Sequence, residues 1–205
     1  MNRLILIFFL LSPLSMQSHN GLCTIRKAGE NVYVSSQIDD HHEINYWFKK
    51  CMANDLFTFY RVSVTSGTTG TTVVNEAYSD NIGPFEIRGG GWCGGNHLFT
   101  DEKTQTAETF SIKLYADGQS ISSDTLLKAQ IIKLEVKNRI FNPLSAEQTG
   151  DKTYFTDTLC IENVNYTIRG NSIQVDLSHD YINRTPVIIT KYYGMQSMFK
   201  DENQL

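Results

Sequence analysis

The sequence predicts an all-β protein, an antiparallel β-sandwich that forms a single domain over residues 19–205, with at most one short helix. Three observations support this prediction. From residue 30 onward apolar side chains recur at every second position, which is the period of half-buried strands. Turn dipeptides such as Asp117-Gly118 separate these runs. At 205 residues, 40% of them hydrophobic, the chain is long enough to bury a core between two sheets.

Four runs carry the strand prediction. In chain order their apolar positions are Phe110, Ile112 and Leu114; Ile132, Leu134 and Val136; Ile173, Val175 and Leu177; and Val187, Ile189 and Tyr193. Polar residues stand between the apolar ones in the first three runs, so one face of each predicted strand is buried. Only residues 43–52 show a helical spacing of apolar residues and are the candidate for a short helix.

Residues 1–18 predict a signal peptide. Arg3 supplies a positive charge, and residues 4–14 hold nine apolar residues of eleven. A stretch of this length is too short to cross about 30 Å of hydrocarbon. We therefore expect a secreted or periplasmic protein without a membrane span. A buried N-terminal strand is the alternative interpretation.

Charge and cysteine content narrow the function classes. A net charge of −4, a pI of about 5.7 and the lack of a Lys/Arg run argue against a nucleic-acid partner. Four cysteines, Cys23, Cys51, Cys93 and Cys160, predict one or two disulfides in an exported chain, with the pairing left open. The cysteines form no CxxC motif, which argues against a four-cysteine zinc site. Residues 39–43 (DDHHE) hold five potential metal ligands in a row, a pattern more typical of a solvated loop than of a metal site. We expect no metal and no cofactor.

The most unusual part of the sequence is a glycine-rich segment, because six of the 14 glycines fall within residues 83–95. Glycine costs more backbone entropy to order than other residues, so the segment needs either positive φ angles or a close approach of a strand or a ligand. Trp92 offers a flat apolar face for a sugar, Gly94 and Gly95 allow close approach, and Asn96-His97 offers hydrogen-bonding groups. A bulged strand with a core tryptophan is the alternative.

Three further residues are candidates for the same site. Asp80 precedes the glycine-rich segment and supplies a carboxylate that would act with His97. Tyr193 offers a phenol as acid or base, or else an aromatic packing contact. His179 lies on the core-facing side of its predicted strand, where it either contacts substrate or forms a structural hydrogen bond. If residues 172–179 and 187–193 form a hairpin, His179 and Tyr193 lie about 20 Å apart and serve different sites.

Three segments resemble motifs of a group of uncharacterised secreted proteins of bacteria and phages: residues 79–85 (SDNIGPF), 91–97 (GWCGGNH) and 192–196 (YYGMQ). The resemblance extends over most of residues 53–199. The Asn96-His97 pair is also similar to that of the β-supersandwich carbohydrate enzymes, the polysaccharide lyases and aldose epimerases. This second resemblance implies a supersandwich-like fold. It also implies that His97 is the base or contacts a sugar carboxylate, that Asn96 neutralises the carboxylate and that Tyr193 is the acid/base.

These observations lead to two functional hypotheses. The first is an exported carbohydrate-active protein, a polysaccharide lyase or glycan hydrolase. Its catalytic residues would be His97, Asn96, Tyr193 and Asp80, and its substrate-binding residues Trp92, Gly94, Gly95 and His179. The alternative is a noncatalytic module that binds a glycan or a protein of the cell envelope or of a phage particle.

Overall fold

A computed structural model describes residues 21–67, 69–76 and 82–195. These residues form antiparallel strands joined by turns, with one 3-10 helix at Pro143–Ser145, which confirms the all-β prediction. The strands are β1 Cys23–Ala28, β2 Asn31–Gln37, β3 His42–Cys51, β4 Leu56–Ser66, β5 Gly70–Glu76, β6 Phe85–Ile87, β7 Gly91–Cys93, β8 Ala107–Ala116, β9 Gln119–Ser120, β10 Thr125–Ala129, β11 Ile132–Phe141, β12 Ala146–Thr149, β13 Lys152–Phe155, β14 Thr158–Arg169, β15 Ser172–Tyr181 and β16 Ile189–Tyr192. The predicted signal peptide and Asp80 lie outside the described residues.

Two sheets enclose the core. The first sheet has the strand order β10-β1-β2-β3-β4-β5, and the second sheet has the order β15-β14-β11-β8-β9. They meet where the rings of Phe48 and Phe59 on the first sheet lie 5.2 and 6.3 Å from the buried ring of Tyr166 on the second. The Tyr166 hydroxyl is hydrogen-bonded to Thr58 Oγ1 at 2.9 Å, so its polar atom is satisfied in the apolar interior.

All four predicted strands are found, but the burial differs from the prediction in two of them. Phe110 and Ile112 of β8 are exposed, and β16 covers only Ile189–Tyr192, which are all exposed. β11 and β15 follow the predicted alternation, and Asp117-Gly118 forms the β8–β9 turn with φ angles of 47° and 82°, as a type I′ hairpin turn requires. In β8 a bulge opposite Lys137 and Asn138 shifts the register. Phe110 is consequently 47% exposed instead of sharing the buried face of Leu114.

The predicted helix at residues 43–52 is wrong, because this segment is strand β3. Tyr46 and Phe48 are buried, and Trp47 between them lies on the outer face of the first sheet. The true period is therefore two. Two aromatic residues in succession, Trp47 and Phe48, produced the apparent helical spacing.

The predicted disulfides are also absent. All four cysteines carry free, buried thiols, and Cys23 donates to the carbonyl of Gly170 at 3.6 Å. Burial raises the pKa of Cys51 and of Cys93 to about 12, so both are neutral core side chains at physiological pH. In the part of the chain that the structure describes, no helix is long and apolar enough to cross a membrane.

Candidate functional site

The described residues of the three motif segments meet in a third, small sheet with the strand order β16-β6-β7. Glu86 on β6 lies between Trp92 on β7 and Lys191 on β16. At one end of the small sheet Gly83 and Gly194 touch through their backbones, because a Cβ added to Gly83 would lie 1.7 Å from the Gly194 carbonyl oxygen. Glycine at position 83 is therefore required for closure of the sheet.

The small sheet separates the predicted site residues between its two faces. Lys191, Glu86 and Trp92 form one cross-strand row, and Tyr192, Phe85 and Cys93 form the next. Phe85 and Cys93 are fully buried, so the second row faces the core. Adjacent residues on a strand point to opposite faces. Trp92 therefore faces outward.

On the outward face the structure brings together three predicted residues. The ring of His97 lies 4.9 Å from that of Trp92 and the ring of Tyr193 5.1 Å, both in stacked geometry. Lys191 Nζ lies 5.6 Å from the centre of the Trp92 ring and forms an ion pair with Glu86 at 3.1 Å. The hydrogen bond from Lys191 holds the pKa of Glu86 below its usual value. Three side chains of the protein itself thus pack on the indole predicted to stack on a sugar.

Asn96 and the loop that carries it are held by buried polar side chains. Asn96 Oδ1 accepts a hydrogen bond from the Ala53 backbone N–H at 2.8 Å. Asn54, which is 1% exposed, donates from Nδ2 to the carbonyls of Gly95 and His97, both at 2.9 Å. Its Oδ1 accepts from the backbone N–H of Thr106 at 2.8 Å. Neither Asn54 nor Thr106 was predicted, since an isolated Asn or Thr has no sequence signature.

The backbone explains the glycine cluster. Gly89, Gly91, Gly94 and Gly95 have φ angles of 78°, 77°, 74° and 50°, a region that other residues rarely adopt. A Cβ on Gly90 would lie 2.9 Å from the side chain of Pro143 in the 3-10 helix. Positive φ angles at four glycines and the close approach of Pro143 at Gly90 thus account for the cluster through contacts of the protein's own chain.

His179 lies on the core side and forms a buried pair. Its Nε2 is 3.1 Å from Oε2 of Glu162, a carboxylate that is fully buried. Asn138 donates to the other oxygen of Glu162 at 2.9 Å, and Thr109 donates to Asn138 at 2.6 Å. Such a chain satisfies polar groups inside the sandwich. It matches the structural alternative for His179.

The hairpin considered for residues 172–179 and 187–193 does not form. β16 pairs with β6 instead of β15, which brings the ring of Tyr192 to 5.3 Å from that of His179. Phe85 lies 5.1 Å from the same imidazole. His179 and Tyr193 are therefore near in space, but they serve opposite faces of the small sheet.

A second group of side chains, missed by the sequence analysis, lies on the outer face of the first sheet. One residue from each strand stands in register across all six strands. We call this line the aromatic row; its members are Leu126, Arg26, Tyr33, Trp47, Arg61 and Glu76. The helical interpretation of residues 43–52 concealed it, because a helix would have placed Trp47 beside Phe48 on one apolar face.

Stacked rings form the centre of the aromatic row. Tyr33 and Trp47 lie 5.4 Å apart with 26° between their planes, and Tyr60 approaches Trp47 edge-on at 4.8 Å. Trp47 donates from Nε1 to Asn31 Oδ1 at 3.0 Å, which fixes the indole. Neighbouring aromatic rings of this kind form a rigid, half-buried apolar surface.

Cations flank these rings. Arg26 lies 5.7 Å from the centre of the Tyr33 ring, and Lys49 lies 3.7 Å from that of Tyr60. Arg61 lies 5.8 Å from Trp47 and forms an ion pair with Glu76 at 2.7 Å. Cation–π contacts of this length hold the long side chains along the rings.

A row of small polar residues runs beside the aromatic row on the same face. This polar row consists of Thr24, Ser35, Asn45 and Ser63, which are in register with one another. The polar row and the aromatic row from Leu126 to Arg61 together line an open hollow of about 390 Å³. The hollow therefore combines aromatic, hydroxyl, amide and guanidinium groups.

No protein-family model, no curated protein and no solved structure matches this chain. The resemblance of its three motifs to secreted bacterial and phage proteins stays a prediction. Among residues 21–67, 69–76 and 82–195, no three His, Cys, Asp or Glu side chains are placed to share a metal ion. The chemistry of the hollow is thus the basis for a functional assignment.

Proposed function

We propose that the protein is a noncatalytic glycan-binding protein that holds its ligand on the outer face of the first sheet. The observation that carries this proposal is the alignment of Tyr33 and Trp47 with a parallel row of hydroxyl and amide side chains along one hollow. The proposal keeps the predicted glycan partner. It moves the binding site from Trp92 to Trp47.

Sugar rings need both kinds of group. Their C–H faces pack on aromatic side chains, and their hydroxyls need hydrogen-bonding partners when water is displaced. The polar row supplies such partners about 7 Å along the strands from the aromatic row, since residues two positions apart on a strand share a face. Protein-binding surfaces are also rich in aromatic residues but are depleted in serine, so the line of small polar side chains favours a sugar.

The side chains of the hollow favour binding over catalysis. Glycoside cleavage uses a pair of carboxyl groups or an acid and a base on either side of the bond. The only carboxylate in the aromatic row, Glu76, is ion-paired with Arg61, and the polar row holds no titratable group. At the originally predicted site, His97 is packed on Trp92.

The test is binding of the purified protein to a panel of soluble polysaccharides, measured by affinity electrophoresis and titration calorimetry. We expect Trp47→Ala to weaken binding at least about tenfold, equivalent to about 1.4 kcal/mol of aromatic contact. Trp47→Phe keeps a ring and should retain part of the affinity. Trp92→Phe, at the other tryptophan, is the matched control and should bind as the wild type does.

Two results would contradict the proposal. One is a failure at the level of binding, seen either as wild-type affinity in Trp47→Ala or as no binding of the wild type to any polysaccharide in the panel. The other is the appearance of an unsaturated or shortened product during incubation, which would show an enzyme.

A further inference from the structure

We propose that the glycan is acidic, carrying carboxylate or sulfate groups, and that Arg26 and Lys49 select it. This inference rests on the proposed function, because it concerns the same face of the first sheet, where Arg26 lines the hollow and Lys49 lies over the neighbouring ring of Tyr60. It adds the chemical class of the ligand and the residues that distinguish acidic from neutral sugars.

The charge balance around the aromatic row is the first argument. The whole chain has a net charge of −4. By contrast, the charged groups among the described residues of the aromatic row and on its rings are three cations, Arg26, Lys49 and Arg61, and one carboxylate, Glu76. Glu76 neutralises Arg61, whereas Arg26 and Lys49 form no ion pair or hydrogen bond with any residue that the structure describes. Two positive charges therefore remain on an otherwise acidic protein.

The placement of these cations is the second argument. Arg26 is on β1, next to Tyr33, and Lys49 is on β3, over Tyr60, so the two flank the stacked rings. The guanidinium of Arg26 is exposed, and its N–H donors suit the two oxygens of a carboxylate or sulfate. A sugar packed on the rings would thus carry its acidic substituents toward cations on either side.

The neighbouring surface limits the length of the polyanion. Beyond the polar row the next hollow is lined by Asp40 and Glu43 together with Lys128. Those two carboxylates would repel a long polyanion that continued across the sheet. A short acidic stretch of glycan fits this boundary better than a single-stranded nucleic acid, which requires a continuous basic groove.

The experiment compares polysaccharides that differ only in their acidic groups. One pair is polygalacturonate and its methyl ester, which tests carboxylate. The other is heparin and its desulfated form, which tests sulfate. For at least one pair we expect the wild type to bind the acidic form about five- to tenfold more tightly, with an affinity that falls as salt rises.

Variants assign this preference to the two cations. Arg26→Gln with Lys49→Gln should abolish the preference, so that the acidic and neutral forms bind with the same affinity. Arg169→Gln with Lys133→Gln makes the same charge change on exposed positions of the second sheet, and it should keep the preference. Circular dichroism checks that both double variants fold.

The outcomes distinguish failure of the acidic-ligand inference from failure of the proposed glycan-binding function. Equal wild-type affinity for both members of each pair would overturn the acidic-ligand inference and leave the proposed function in place. Tighter binding to oligothymidine than to any polysaccharide would also overturn the inference. Failure of Trp47→Ala to weaken binding would overturn the proposed function itself.

Discussion

Replacing Asn54 with alanine tests how the loop of residues 94–97 is held in place. Asn54 is buried, and its amide bridges the loop to the start of β8. The substitution removes the bonds to the Gly95 and His97 carbonyls and the bond from the Thr106 backbone N–H. It adds no new polar group that could take their place.

The size of the stability loss follows from the buried polar groups that lose their hydrogen bond to Asn54. A buried polar group without its partner costs about 1–3 kcal/mol. Two such groups, on Gly95 and Thr106, give a loss of about 2–6 kcal/mol in the free energy of unfolding. The hydroxyl of Thr106 still donates to the His97 carbonyl at 2.6 Å, so part of the loop stays attached. We therefore expect about 3 kcal/mol, near the lower end.

Urea denaturation followed by fluorescence measures this loss, and calorimetry should show the melting temperature lowered by about 6–12 °C. Asn163→Ala is the matched control, because the Asn163 side chain makes an exposed hydrogen bond to Asp180 at 3.0 Å. It should cost less than about 1 kcal/mol. If Asn54→Ala and Asn163→Ala unfold at the same urea concentration, the loop is not held as described.

Three further predictions concern other parts of the fold. Gly83→Ala should destabilise the protein by about 3 kcal/mol or more and make β16 sensitive to limited proteolysis, because the new methyl group would overlap the Gly194 carbonyl. His179→Ala should cost about 3–5 kcal/mol in urea denaturation, since the fully buried Glu162 loses its histidine partner and keeps the hydrogen bond from Asn138. Hydrogen bonds from Thr104 hold the pKa of Asp101 below its usual value. The stability contributed by Asp101 is therefore complete above about pH 4 and is lost as the pH falls further. In Asp101→Asn the free energy of unfolding should fall less steeply with decreasing pH below about pH 4.

Each of these predictions has a control in the same chain. Gly67→Ala adds a methyl group where nothing lies within 4 Å, and it should change stability by less than about 1 kcal/mol. His41→Ala removes an exposed histidine and should be nearly neutral. Asp151→Asn, at an exposed turn, should leave the fall in stability at acid pH as in the wild type. The explanations fail if a variant and its control behave alike.

The period-two pattern predicted the fold class because one face of each long strand packs against the opposite sheet. β11 shows this clearly, with Ile132, Leu134 and Val136 all buried. The pattern failed where a bulge changed the face of Phe110. A bulge depends on the pairing of two strands, and a single run of residues does not reveal it.

The candidate site was predicted less well because it depends on contacts between distant segments. The sequence identified Trp92, His97 and Tyr193, and the structure does bring them together. The sequence did not reveal that these three rings pack on one another. The aromatic row was missed because a register across six strands is a property of the sheet, and because Trp47 was assigned to a helix.

The most direct test of the account is the position of the ligand, followed through the indole N–H signals of the two tryptophans in an NMR titration with an acidic oligosaccharide. Trp47 Nε1 is bonded to Asn31 beside the hollow, so its signal should shift together with the amides of Tyr33 and Arg26. The Trp92 signal should stay in place. A titration in which Trp92 shifts and Trp47 does not would contradict the account and return the binding site to the small sheet.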